Sequence, residues 1–126
     1  MNHTRILVVE DNPKNRKLVR DVLTFVGYEV IEATSGEEGV RLAHDQAPDL
    51  ILMDLQLPGI DGAEALRQIR VAHSHKVPVV AVTAFAMNDD RARAFASGFD
   101  GYVEKPISVR ALPQQVRDFL TLGGIA

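Results

Sequence analysis

Short apolar runs recur along the chain, separated by longer stretches in which apolar residues come at helical spacing. The runs occupy residues 6–9, 28–31, 50–53, 77–82 and 102–103. Most of them are continuous rather than alternating, which is typical of strands covered on both faces. The pattern therefore predicts five short strands, of which the second is weaker and partly alternating.

The first intervening segment carries clear helix signals at both ends. Asn12 is a good N-cap, and Pro13 suits the first helical position because its missing N–H is not needed there. Gly27 is predicted to end this helix. Its predicted apolar stripe consists of Leu18, Val22, Phe25 and Val26.

The second, third and fourth helices are bounded by capping residues, glycine or proline. The second helix is predicted to start at Thr34 or Ser35 and to end before Pro48. The third is predicted over residues 62–71, and the fourth from Asn88 or Asp89 toward Gly98.

The fifth helix allows two interpretations. Ser108 is a good cap, but Pro113 would clash with the preceding turn and lacks a needed N–H. Either regular helix begins near Leu112, or the first turn after Ser108 is distorted. In both cases strand and helix alternate five times, which predicts an α/β fold with a parallel sheet, helices on both faces and right-handed crossovers.

Length and composition narrow the class of protein. The chain has 126 residues, so we expect one domain over residues 1–126 without a separate output domain. The net charge of −3 gives no bulk attraction to nucleic acid or to an anionic membrane. The absence of cysteine excludes disulfides, thiolate metal sites and cysteine nucleophiles. With no signal peptide and no apolar run near the roughly 18 residues of a membrane span, we expect a cytoplasmic protein.

Reactive side chains follow four of the predicted strands. The acids Glu10 and Asp11 follow the first, Asp54 ends the third, Thr83 follows the fourth and Lys105 the fifth. In a doubly wound sheet, functional groups gather where the carboxyl ends of the strands open into a crevice. Three carboxylates at one edge repel one another and need a compensating positive charge.

A hard divalent cation suits this set of oxygens. Mg²⁺ is commonly held by one or two carboxylates, so Asp11 and Asp54 could bind it directly and Glu10 through water. An aspartate can also be a nucleophile that forms an aspartyl phosphate, which makes Asp54 a candidate phosphoacceptor. Lys105 and the Thr83 hydroxyl would then contact the phosphoryl oxygens.

The motifs "LVVEDNPKNRKLV", "DLILMDLQLPGIDG", "PVVAVTAFAM" and "YVEKPI" resemble those of the receiver domain of bacterial response regulators. The resemblance spans nearly the whole chain in order and spacing. The phrases "VEDNPKN", "TAFAMNDD" and "KPIS" are most similar to single-domain receivers of the DivK cell-division type and to receivers attached to hybrid histidine kinases.

The resemblance implies a flavodoxin-like (CheY-like) (βα)5 three-layer sandwich with sheet order 2-1-3-4-5. It implies that Asp54 is the phosphoacceptor and that the backbone carbonyl of Gln56 joins the acids in binding Mg²⁺, for which Mn²⁺ can substitute. It also implies that Tyr102 is a switch residue beside Thr83, and that the peptide bond from Lys105 to Pro106 is cis.

The implied function is a phosphorylation-dependent switch in a two-component or phosphorelay system. The expected partners are a histidine kinase or histidine phosphotransfer protein, which donates from phosphohistidine, and a downstream protein that contacts the fourth helix, fifth strand and fifth helix. No direct nucleic-acid or membrane partner is expected, and the chain would be a monomer or a phosphorylation-dependent dimer. A bulky Phe85 leads us to expect slow dephosphorylation.

Other classes remain as alternatives. The chain can be a receiver excised from a hybrid histidine kinase, or a pseudo-receiver that binds partners without phosphorylation. A Mg²⁺-dependent aspartyl-phosphate phosphatase would carry its nucleophile after the first strand, whereas Asp54 follows the third. A flavin-binding module would need a phosphate-cradling loop after the first strand, where Asp11 and Pro13 instead give negative charge and a missing N–H.

Overall fold

The computed structural model describes residues 4–72, 77–84 and 88–122. Strands and helices alternate throughout. The strands are β1 (Arg5–Val9), β2 (Glu29–Ala33), β3 (Leu50–Asp54), β4 (Val79–Thr83) and β5 (Gly101–Glu104). The helices are α1 (Pro13–Phe25), α2 (Gly36–Gln46), α3 (Gly62–Ala72), α4 (Asn88–Ala96) and α5 (Leu112–Leu122). Phe85, expected to slow dephosphorylation, lies outside the described residues.

The strands form one parallel sheet in the order β2-β1-β3-β4-β5, which confirms the predicted topology. β3 lies at the centre, and all five of its residues are buried. The register pairs Asp54 with Val82, so Thr83 lies one residue beyond the level of Asp54 on the neighbouring strand. The carboxyl ends of β1, β3, β4 and β5 therefore open at one edge.

Alternate residues of each strand enter two separate hydrophobic layers. Leu7, Ile51 and Val79 pack on the side of α2, α3 and α4, whereas Leu52 and Val80 pack on the side of α1 and α5. Because both faces of the sheet are covered, the strands carry continuous apolar runs rather than alternating ones.

The first helix begins as predicted but buries a different stripe. The Asn12 side chain accepts hydrogen bonds from the N–H groups of residues 14 and 15, and Gly27 adopts a φ of +102° just past the helix end. Val19 and Leu23 are buried in the core and Val22 of the predicted stripe packs against it, whereas Phe25 is 90% exposed. The predicted stripe was therefore wrong at Phe25 and Val26, because Phe25 lies on the face of α1 opposite Val19 and Leu23, and Val26 lies past the end of the helix.

The fifth helix follows the first of the two interpretations. Ser108 accepts the N–H of Ala111 through its hydroxyl and the N–H of Leu112 through its carbonyl, which makes an isolated turn. Regular helix then starts at Leu112, so Pro113 falls in the first turn of α5, where its missing N–H costs nothing. Among the described residues, no helix has the length and apolar character required to cross a bilayer.

Candidate functional site

Three acids converge at the carboxyl edge of the sheet. Glu10, Asp11 and Asp54 each place a carboxylate oxygen so that all three oxygens lie within 4.8 Å of one another. Glu10 and Asp54 are only 3% and 4% exposed, whereas Asp11 lies at the surface. The cluster is thus buried on the side of β1 and β3 and open to solvent on the side of Asp11.

One ammonium group neutralises part of this charge. Lys105 Nζ lies 2.9 Å from Asp54 Oδ2 and 3.0 Å from Glu10 Oε1, so it bridges two of the three acids. The backbone N–H of Lys105 donates to the carbonyl of Thr83 at 2.8 Å, and the peptide bond between Lys105 and Pro106 is cis. The lysine therefore reaches the acids from the end of β5, across the end of β4.

The protonation of the cluster reflects both burial and crowding. Burial is the main reason that the pKa of Glu10 rises from 4.5 to about 7, and a hydrogen bond with Asp54 raises it further. The hydrogen bond from Lys105 and the backbone N–H of Asn12 act in the opposite direction. For Lys105, burial lowers the pKa, but hydrogen bonds to Asp54 and Glu10 outweigh burial and raise it. The lysine therefore stays charged. Its charge does not fully offset the effects of burial and of Asp54 on the pKa of Glu10.

The loop after β3 is held close to the phosphoacceptor candidate. The backbone N–H of Gln56 donates to Asp54 Oδ1 at 2.9 Å, so both oxygens of this carboxylate have a donor. A Cβ on Gly62 would lie 2.9 Å from the carbonyl oxygen of Asp54, so glycine is needed where α3 begins against this strand end. The loop turns at Gly59, whose φ is +74°.

The two predicted switch residues lie farther along the same edge. Thr83 ends β4 and is 1% exposed, and it pairs in register with Glu104 of β5. Tyr102 is half-buried on β5 opposite Ala81. The structure thus brings Glu10, Asp11, Asp54 and Lys105 into direct contact or near contact, and places Thr83 and Tyr102 on the adjoining strands.

Sequence reasoning missed one contributor to this edge. Arg16 Nη1 donates to the backbone carbonyls of Glu10 at 3.1 Å and Asp11 at 3.5 Å, and its Nε lies 3.3 Å from Glu32 Oε1. Nothing in the sequence distinguishes Arg16 from the other cations on α1, because a contact with a backbone carbonyl leaves no pattern of residue types.

The donor set fits a hard divalent cation. Its side-chain ligand atoms are carboxylate oxygens, as Mg²⁺ prefers, and there is no sulfur or imidazole among them. Burial is the main cause of the raised pKa of Glu10, and the hydrogen bond and Coulomb repulsion from Asp54 raise that pKa further despite the nearby lysine. A second cation would therefore favour the ionised form of every acid in the cluster.

The sheet order and the acidic cluster at the carboxyl edge of the sheet agree with the arrangement expected of a receiver domain. The response regulator receiver domain family matches residues 6–117, so the chain belongs to that family. This is a family of two-component signalling proteins, which confirms the resemblance carried by the sequence motifs.

Particular relatives place the chain near the DivK type. It is 42% identical over 116 residues to the polar-differentiation response regulator DivK of Brucella ovis, covering 91% of this chain and 94% of the relative. It is 36% identical to the receiver domain of the sensor histidine kinase PA1611 of Pseudomonas aeruginosa PAO1, with a TM-score of 0.87 over 95% and 99% of the two chains. That crystal structure has a magnesium ion coordinated in the active-site cleft. A CheY-like receiver domain of Methanospirillum hungatei JF-1 gives a TM-score of 0.88 at 27% identity, covering 98% of each chain.

Proposed function

We propose that the chain is a phosphorylation-dependent switch that accepts a phosphoryl group on Asp54. The observation that carries this proposal is the position of the Asp54 carboxylate. It is fixed at the end of a buried strand, with an ammonium 2.9 Å away and two more acids within 4.8 Å. Such a carboxylate is rigidly placed for in-line attack, beside an ammonium that can stabilise phosphoryl oxygens and two acids that can help to hold a cation there.

The chemical step is a transfer between two nucleophiles. An oxygen of Asp54 forms a bond to phosphorus while the bond from phosphorus to the imidazole nitrogen of a phosphohistidine breaks, and the imidazole leaves with the electron pair. Lys105 contacts Oδ2 and the Gln56 N–H contacts Oδ1, and each of these oxygens keeps a further lone pair for the attack. The flexible side chain of Lys105 would then follow the phosphoryl oxygens, whereas the Gln56 N–H, which is part of the backbone, would stay in place.

We propose that Mg²⁺, or Mn²⁺ in its place, is held by Asp11, Asp54 and the backbone carbonyl of Gln56, with Glu10 acting through water. When bound, the cation neutralises charge on the phosphoryl oxygens. Support comes from the all-oxygen donor set and from the magnesium ion coordinated in the active-site cleft of the receiver of PA1611.

The switch would use the residues beside the phosphoacceptor. A phosphoryl group on Asp54 adds acceptor oxygens, and the buried hydroxyl of Thr83 would move to donate to one of them. Tyr102 would then move into the space that Thr83 vacates, and the surface of α4, β5 and α5 would change shape. A few kcal/mol of differential stabilisation is enough to shift such an equilibrium, within reach of one or two charge-assisted hydrogen bonds.

The proposed partners follow from the chemistry. A histidine kinase or histidine phosphotransfer protein would supply the phosphohistidine, and a downstream protein would bind the altered surface, in the cytoplasm. Residues 1–126 would act as one receiver domain, as a monomer or as a dimer formed on phosphorylation. The similarity to DivK over 94% of that relative supports a self-standing regulator, and the similarity to the receiver of PA1611 supports a receiver attached to a kinase.

Intact mass after incubation with acetyl phosphate and Mg²⁺ tests the phosphoacceptor. We expect the wild type to gain about 80 Da, one phosphoryl group, and to lose it on treatment with hydroxylamine, which cleaves acyl phosphates. Asp54→Asn should gain nothing. Asp118→Asn is the matched control, because Asp118 is an exposed aspartate whose described contact is with the side chain of Gln114.

Three results would contradict the proposal. Equal labelling of the wild type and Asp54→Asn would place the phosphoryl group elsewhere, and no labelling of the wild type would favour a pseudo-receiver. Continuous turnover of a small phosphoester would instead favour a phosphatase.

A further inference from the structure

The guanidinium of Arg16 connects the loop after β1 to strand β2 at the edge of the acidic cluster. Nη1 donates to the carbonyls of Glu10 at 3.1 Å and, more weakly, Asp11 at 3.5 Å, and Nε lies 3.3 Å from Glu32 Oε1. The Arg16 side chain is 21% exposed, so these contacts are partly sheltered from water. Arg16 therefore contacts the backbone of two acids of the cluster without touching their carboxylates.

Glu32 fixes the orientation of this guanidinium. It lies on β2, paired in register with Val8 on β1, and it also accepts from Arg20 Nη1 at 3.4 Å. An arginine is planar and presents its donors in a rigid fork, so an ion pair at Nε determines where Nη1 points. The carboxylate on β2 thus aims Arg16 at the carbonyls that follow β1.

The backbone after β1 has few other restraints. The Glu10 N–H donates to the Ala33 carbonyl at 3.0 Å, and Asn12 caps α1 while its own N–H donates to Glu10 Oε2 at 3.1 Å. These bonds fix the two ends of the turn. Among the described hydrogen bonds, the carbonyls of Glu10 and Asp11 accept only from Arg16, and the contact with Glu10 is the stronger of the two.

We infer that Arg16, aimed by Glu32, is a positioning residue that holds the backbone presenting Glu10 and Asp11 to a divalent cation. The inference rests on the proposed cation site. The effect of removing Arg16 on cation affinity distinguishes this role from that of a simple surface ion pair. If Arg16 acted only through its charge, its removal would strengthen cation binding, because one positive charge near the cation would be lost. If Arg16 holds the backbone of two ligand residues, its removal weakens cation binding.

The matched pair of variants is Arg16→Met and Arg20→Met. Each removes one positive charge and one ion pair with Glu32, but only Arg16 contacts the carbonyls after β1. We expect Arg16→Met to weaken Mg²⁺ binding roughly tenfold by titration calorimetry on metal-free protein. Arg20→Met should leave it unchanged or slightly tighter. Urea unfolding in EDTA measures the stability of each variant without metal. A purely structural role of Arg16 would lower the free energy of unfolding and leave the Mg²⁺ affinity unchanged.

A second readout needs no metal. In metal-free protein, the backbone N–H of Asn12 should exchange its hydrogen faster in Arg16→Met than in the wild type or in Arg20→Met. If the wild type binds Mg²⁺ and Arg16→Met binds it as tightly or more tightly, the inference is overturned while the proposed site stands. If the wild type fails to bind Mg²⁺, the proposed site fails and takes this inference with it.

Discussion

The buried carboxyl group of Glu10 makes the stability of the metal-free protein depend on pH in an unusual direction. Its pKa is about 7 in the folded protein, against 4.5 as the ordinary value. Between these two pH values the unfolded chain has lost the proton, whereas the folded protein retains it. The folded state therefore binds more protons, so the free energy of unfolding falls as the pH rises from about 4.5 to about 7. Most carboxylates in hydrogen-bonded or salt-bridged sites have the opposite effect.

The magnitude follows from the same two values. The pKa difference is about 2.5 units (7 minus 4.5), and each unit corresponds to 1.36 kcal/mol, which gives roughly 3 kcal/mol. Glu10→Gln keeps an oxygen that can accept the Asn12 N–H but cannot ionise. We expect this variant to lack the pH-dependent loss. Its stability relative to the wild type should therefore rise by roughly 3 kcal/mol between pH 4.5 and pH 8.

The assay is urea unfolding in EDTA across that pH range, with linear extrapolation for both proteins. Contributions from all other titrating groups are common to both proteins and cancel in the difference. A difference that stays constant with pH, or that falls as pH rises, would show that Glu10 is ionised throughout and would refute the reasoning.

Two further changes test other parts of the molecule. Lys105→Met removes the ammonium beside the phosphoacceptor. The rate of phosphorylation by acetyl phosphate, measured by mass spectrometry, should therefore fall roughly a hundredfold. Mg²⁺ binding by calorimetry should not weaken, because a positive charge leaves the cluster; weaker binding would show that the lysine organises the ligands. Asp100→Asn removes the charge that lies 2.7 Å from Arg70 Nη2 while keeping an acceptor for the Val79 N–H. It should cost about 2 kcal/mol by urea unfolding, less than a fully buried pair because both side chains are partly exposed, and it should leave Mg²⁺ affinity unchanged.

The elements that the sequence predicted well are those with a local physical cause. Continuous apolar runs identify strands covered on both faces, and the Asn12 cap with Pro13 fixes the start of α1. Pro113 likewise limits the start of α5 to two possibilities, and the structure has regular helix from Leu112. Each of these depends on the geometry of a few adjacent residues, so no knowledge of the rest of the fold was required.

The features that the sequence did not predict depend on packing across the fold. Phe25 has the spacing of a core residue, yet it points to solvent because the buried stripe of α1 runs through Val19 and Leu23. The topology predicted that Lys105 would share an edge with Asp54, but not that its ammonium would bridge Asp54 and Glu10. That bridge depends on the conformation of the loop after β5, which no local motif determines.

The electrostatics of the cluster explain why its acids tolerate each other in the folded protein. If all three acids were ionised, the single ammonium would leave two uncompensated negative charges in a mostly buried site. The folded protein avoids part of this cost by keeping a proton on Glu10 up to a pH of about 7. A divalent cation supplies the missing positive charge and competes with that proton. Cation binding should therefore strengthen as the pH rises through about 7, and the stabilisation of the fold by Mg²⁺ should grow over the same range.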